Sequence, residues 1–299
     1  MRTVYLGTSD FAVAVLERLA AGEHRPALVV TRPDSPRGRG RKLSPPPVAD
    51  AARELGLDLL QPDSVNDDDA RAGIAAAEPE AVLICAFGAL INEPLLSAHA
   101  MLNVHPSLLP RWRGAAPVER AIDAGDDRTG VSIMRPTAEL DAGPVFLQRP
   151  ERIRPDDDYG SLASRLADLG GRLLVETLDA MPEPRPQDEE GVTYADKIAA
   201  PDRRLDPDRT ASELERRVRA LNPHIGTWLA LGGGERLGVG RAAVAADAAA
   251  PDPGDLREEE GRLLYGTTEG ALELLEVQPP GGRPMNAASW LRGHATRLL

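Results

Sequence analysis

Short apolar runs alternate with amphipathic segments through the first hundred residues, and this alternation limits the possible folds more than any other feature. Residues 4–7, 27–31, 80–87 and 100–105 are apolar stretches bounded by turn formers, the pattern of strands buried on both faces. Between them, 12–19, 47–55 and 63–77 carry helical spacing, with Ser9 or Asp10 as the cap of the first helix. Such a β-α succession predicts a Rossmann-like, doubly wound, mostly parallel sheet with helices on both faces. The dinucleotide fingerprint is missing, because Gly7 stands alone after the first strand. NAD and FAD are therefore disfavoured.

At 299 residues the chain is long enough for two domains. Residues 159–181 read as a long amphipathic helix, and 182–188, with three prolines, as an exposed connector. A helix at 211–221 is followed by short strands at 227–231, 236–239, 262–266 and 271–277, separated by glycine turns. That pattern predicts a small C-terminal β-barrel of the OB-like kind. The expected division is a catalytic domain over 1–200, a linker over 201–210 and the barrel over 211–299.

A net charge of −12 argues against non-specific binding to nucleic acid. Positive charge is nevertheless concentrated in 32–43, which holds five basic residues against one acidic, with two glycines and two prolines. Charge runs of this kind are usually solvated loops. On an acidic chain, Arg37, Arg39, Arg41 and Lys42 also suit a mobile arm that grips phosphates. The single cysteine, Cys85, lies in an apolar run and reads as a buried hydrophobe, with no partner for a disulfide or a Cys-cluster metal site. No metal is expected. The absence of both a signal-peptide pattern and an apolar stretch of about 18 residues points to a cytoplasmic protein without membrane contact.

Residues 102–114 carry the chemistry. Asn103 and His105 sit two apart on a strand and share a face, and Pro106 ends the strand just beyond them. An amide supplies a neutral donor for a developing oxyanion, and an imidazole exchanges a proton near neutral pH. Asp141 stands in a Gly/Pro turn between two further strands, placed to reach such a site. His24, His99 and His294 read as surface residues without partners, and Trp228 and Trp290 as core of the C-terminal domain. Trp112 reads either as a wall for substrate or as a brace for its loop.

The pattern Asn103-x-His105-x-Ser107-Leu108-Leu109-Pro110, with Asp141-x-Gly143 downstream, resembles the folate-dependent formyltransferases. Residues 112–117, W-R-G-A-A-P, resemble the branch of that family that acts on tRNA, and outlying pieces extend the resemblance over nearly the whole chain. It implies 10-formyltetrahydrofolate as co-substrate, without a metal. The implied acceptor is the α-amino group of methionine on initiator tRNA, in translation initiation, and the implied enzyme is monomeric. By the same resemblance Asn103 donates to the oxyanion, His105 moves the proton, and Asp141 holds the imidazole in one tautomer. Phe87, Gly88, Ser107, Leu108, Leu109 and Pro110 line the folate cleft, the basic loop closes on the acceptor stem, and the barrel meets tRNA phosphates. His224-Ile225 departs from the aromatic-proline pair common in the family. Rival readings are a formyltetrahydrofolate hydrolase, a sugar-nucleotide formyltransferase and a non-catalytic RNA-binding protein.

Overall fold

The computed structural model describes residues 1–37, 40, 42–231 and 234–294. Two compact units emerge: Met1–Gly114 with Thr129–Arg152 and Ala163–Tyr194, and Ala115–Arg128 with Ile153–Leu162 and Ala195–Leu299.

The first unit is built on seven strands: β1 Thr3–Gly7, β2 Pro26–Val30, β3 Leu59–Leu60, β4 Ala81–Cys85, β5 Met101–His105, β6 Arg128–Met134 and β7 Val145–Arg152. Their order across the sheet is β7-β6-β5-β4-β1-β2-β3. The pairs β1–β2, β1–β4, β2–β3 and β4–β5 are parallel, whereas β6 runs antiparallel to β5. Every residue of β1 and β4 is buried, which is why 4–7 and 81–85 read as continuously apolar. The helix Asp10–Ala20 buries Ala12, Val15, Leu16 and Leu19, one stripe at helical spacing.

The helix Tyr159–Ala180 lies very close to the sheet. A β-carbon on Gly170 would come within 2.9 Å of Val104 Cγ1 and 3.7 Å of Val131 Cγ1. Val104 thus points at this helix, and its neighbours Asn103 and His105 project from the other face of β5.

Two sequence expectations change in this unit. His24 is buried, at 6% exposure, with Nε2 2.8 Å from Asp179 Oδ1. Asp179 is far away in sequence, so nothing near His24 announces the pairing. The basic stretch contains a short hairpin, Ser35–Arg37 against Lys42–Ser44, with Arg37 opposite Lys42. Chain pairing there overrides a composition that reads as loop.

In the second unit an antiparallel sheet is formed by β8 Thr227–Ala230, β9 Arg236–Ala245, β10 Leu256–Glu259, β11 Arg262–Gly266, β12 Ala271–Gln278 and β13 Met285–Asn286. The order is β8-β9-β12-β11-β10, with β13 also on β12. The path is open, since no pairing among the described residues joins β8 to β10. Its core includes Leu214, Val218, Leu229, Leu237, Leu263, Leu274 and Trp290. Trp228, expected there too, is only partly buried on the alternate face of β8, with the Arg236 guanidinium 4.1 Å from its ring centroid.

The helices Pro117–Ala124 and Ala211–Leu221 also belong to this unit. Arg217 forks onto Asp123, with Nε–Oδ1 and Nη2–Oδ2 both 2.7 Å, and Nη1 donates to the Asp202 carbonyl at 2.9 Å. His224 stacks on Tyr159 with ring centroids 3.5 Å apart, and its Nε2 lies 3.0 Å from Glu119 Oε1. Among the described residues no helix is long and apolar enough to cross a membrane.

Candidate active site

Because β1, β2, β4 and β5 are parallel, Gly7, Val30, Cys85 and His105 end at the same edge of the sheet, where open α/β sheets place their sites. The β4–β5 register sets Ile84 beside Asn103 and Cys85 beside Val104. The loop that leaves β4 through Phe87 and Gly88 therefore starts level with the end of the strand bearing Asn103 and His105. Left-handed backbone collects in these connections: Ala86 (φ +43°), Gly88 (+72°), Trp112 (+63°) and Asp141 (+45°). Non-glycine residues adopt this conformation only when their surroundings impose it.

The imidazole of His105 is buried, and its Nε2 donates to the Trp112 carbonyl at 2.8 Å. A carbonyl only accepts, so this contact fixes the proton on Nε2 and leaves the Nδ1 lone pair open. Nδ1 faces Asp141 Oδ2 at 3.6 Å, beyond hydrogen-bond reach but within ion-pair distance. The tautomer is thus set by Trp112, and not by Asp141 as the sequence reading had it. Asp141 Oδ2 instead accepts the Gly114 N–H at 2.8 Å. That bond anchors a carboxylate beside the open nitrogen of His105. The Trp112 main-chain N–H donates to Thr193 Oγ1 at 2.9 Å, and the Arg111 guanidinium lies 4.3 Å from the indole ring centroid.

Asn103 is only partly buried, and its Nδ2 has Met134 Sδ as a weak partner at 3.7 Å. A sulfur contact of that length leaves the amide free to donate to a stronger acceptor. The thiol next door, Cys85, is fully buried. Burial pushes Cys85 up to about 12, and Tyr5 beside it is also raised, chiefly by desolvation.

Ser107 is fully buried and its hydroxyl donates to the Arg111 carbonyl. The Ser132 hydroxyl donates to the Ser107 carbonyl and accepts from the Leu109 N–H, and Gln148 Nε2 donates to the Leu109 carbonyl. Ser107 and Leu109 therefore shape the loop from inside, while Leu108 and Pro110 are partly exposed. Phe87 is 4% exposed and packs in an apolar cluster with Ile84, Leu95 and Met101. Of the basic residues, Lys42 is exposed on the hairpin and the Arg37 backbone lies opposite it; Arg39 and Arg41 lie outside the described residues.

Ser132, Gln148 and Gln187 escaped the sequence reading. Ser132 lies within a strand whose apolar pattern hides it, Gln148 begins the polar half of its strand, and Gln187 lies in a stretch that reads as exposed connector. Among the described residues no cluster of His, Cys, Asp and Glu could hold a metal ion.

Comparison with known proteins matches residues 1–178 to the family described as "Formyl transferase" and 197–295 to "Formyl transferase, C-terminal domain". The chain is 43% identical over 302 residues to a methionyl-tRNA formyltransferase of Paracoccus denitrificans, covering 99% of this chain and 98% of the relative. It is 44% identical over 301 residues to one of Methylococcus capsulatus, covering 99% and 97%. Among solved structures it resembles HypX of Aquifex aeolicus in complex with tetrahydrofolic acid, with a TM-score of 0.67 and 18% identity over 97% of this chain and 47% of that one. The chain belongs to the formyl transferase family.

Proposed function

We propose that this formyl transferase moves a formyl group from 10-formyltetrahydrofolate to the α-amino group of methionine esterified to initiator tRNA. Similarity over the full length of enzymes named for methionyl-tRNA supports the acceptor. The observation that carries the chemistry is the open Nδ1 of His105, held between a fixed Nε2 proton and the Asp141 carboxylate.

In this reading the neutral methionyl amine attacks the formyl carbon, the new C–N bond forms, and the carbonyl oxygen becomes an oxyanion. Asn103 Nδ2 donates to that oxygen. His105 Nδ1 takes the proton that leaves the amine, and the resulting imidazolium lies at ion-pair distance from Asp141. The bond from the formyl carbon to N10 of the folate then breaks, N10 receives the proton, and tetrahydrofolate leaves.

Phe87, Gly88, Ser107, Leu108, Leu109 and Pro110 form or shape the folate cleft, with Leu108 and Pro110 nearest its surface. Arg37, Arg39, Arg41 and Lys42 meet the acceptor stem. We keep 1–200 as catalytic domain, 201–210 as linker and 211–299 as an OB-like barrel on the tRNA. The working form is a cytoplasmic monomer. The stacked His224 gives this chain a flat ring where the family often has an aromatic residue.

The test is formyl transfer to initiator and elongator methionyl-tRNA with wild type and His105→Ala. Transfer confined to the initiator and lost in the variant is expected. Formate released at the same rate without tRNA would favour the hydrolase reading, and transfer to an amino sugar nucleotide the sugar reading.

A further inference from the structure

The side chain of Gln187 has all of its hydrogen-bonding capacity engaged at one place. Nε2 donates to the carbonyls of Asp141 and Gly143, both at 2.7 Å. Oε1 accepts from Arg113 Nε at 3.0 Å and Nη2 at 2.9 Å. An amide has two N–H donors and an oxygen with two lone pairs, so nothing remains unused. The orientation admits no flip, since the reverse would set an oxygen against two carbonyls and an NH2 against a guanidinium.

The contacts close a ring. Gln187 ties the main chain of Asp141 to the Arg113 side chain, and the next residue, Gly114, ties its N–H to the Asp141 carboxylate at 2.8 Å. Both ends of Asp141 are held against the same dipeptide, and its backbone is kept at φ +45°. The Arg113 side chain is 9% exposed, and its nearest carboxylate, Glu139, is 4.0 Å away, so Gln187 also satisfies a buried guanidinium. The approach of Gln187 is fixed two residues earlier, where Arg185 and Val145 exchange N–H···O bonds at 2.8 Å each. Gln187 borders a cavity of about 560 Å³ shared with Arg113, Ala142, Pro144 and Tyr194. Hydrogen bonds, more than packing, hold it.

We propose that Gln187 is a positioning residue for formyl transfer: through Arg113 and the two carbonyls it fixes the Asp141 carboxylate opposite His105 Nδ1. This rests on the reading of Asp141 as part of the transfer site.

The test is a double-mutant cycle of Gln187→Met with Asp141→Asn in the full-length enzyme, with kcat, KM for both substrates and thermal midpoint measured for each form. A misplacement of about 1 Å near the chemistry costs on the order of 10²-fold. The expected result is a loss of about that size in kcat for Gln187→Met, with both KM values within about twofold. On the Asp141→Asn background the same substitution should change kcat by less than about twofold, because a residue acting through Asp141 has nothing left to position. Losses that multiply on the two backgrounds, or an unchanged kcat in Gln187→Met, overturn the proposal. Should Gln187→Met fold poorly, Gln187→Glu keeps the volume and the Arg113 contact while setting a carboxylate against the two carbonyls, and the same cycle applies. If Asp141→Asn alone keeps wild-type kcat, the site reading itself fails, and that result comes from the single variant.

Discussion

Replacing Gly143 by alanine tests the Asp141 turn without touching any group that contacts the chemistry. An ideal β-carbon on Gly143 would overlap the Arg135 carbonyl oxygen far inside contact distance and stand 3.0 Å from Thr137 Cγ2. The Arg135 N–H donates to the Pro144 carbonyl at 2.9 Å, so the strand side of the turn is pinned. The displacement must pass into 136–142, which carries Asp141. Relief of the overlap needs a shift of roughly 1 Å, a misplacement expected to cost on the order of 10²-fold in rate. That is about 2.7 kcal/mol in kcat/KM, beside about 1–3 kcal/mol of stability for the overpacking itself. Steady-state transfer kinetics on protein shown folded by circular dichroism measure the first, and urea unfolding the second. A Gly143→Ala enzyme with wild-type kcat would refute the reasoning, because the turn would then deform without moving the carboxylate.

Three further outcomes follow from other parts of the fold. Asp123→Ala leaves the Arg217 guanidinium, 10% exposed, without its carboxylate, and should destabilise the protein by about 3–5 kcal/mol in urea unfolding. A paired replacement, Asp123→Leu with Arg217→Met, should recover most of that loss. Ser132→Ala removes a buried hydroxyl that serves Ser107, Leu109 and Gln148, so it should cost about 1–3 kcal/mol and raise KM for the folate more than for the tRNA. Burial holds the Cys85 thiol protonated up to about 12, against the ordinary 9.0 that it regains on unfolding. The unfolded chain therefore releases a proton that the native state keeps, and the contribution of Cys85 is full below pH 9.0 and lost as pH rises toward 12. Its slope is at most about 1.4 kcal/mol per pH unit. Cys85→Ala should flatten the alkaline limb of urea midpoints measured against pH, and an unchanged limb would refute this assignment.

Much of this architecture is written locally. Fully buried strands such as β1 and β4 must be largely apolar, and Pro106 must end β5, so the strand bearing Asn103 and His105 is readable from neighbours alone. Asp141 could be suspected because Asp-x-Gly suits a tight turn. What escaped depends on partners far along the chain. The His105 tautomer comes from a main-chain carbonyl that no side-chain pattern reports. Gln187 lies among exposed residues, and its role exists only once Arg113 and the Asp141 turn are in place. His24 needs Asp179, and Trp228 faces outward because the pleat alternates, although its size alone suggested core. The short strands and glycine turns of the second unit specify antiparallel pairing without saying whether the ends meet.

The close seating of Gly170 on Val104 has an evolutionary corollary. A strand clamped from behind by helix backbone has little freedom to drift, so the separation between Asn103 and His105 is a poor target for gradual change. New acceptors would be gained by rewriting loops at the sheet edge, while any side chain at position 170 would have to displace Val104. A library randomised in 136–140, with Asp141 kept, should therefore alter acceptor choice, and one randomised around Gly170 should mainly lower stability.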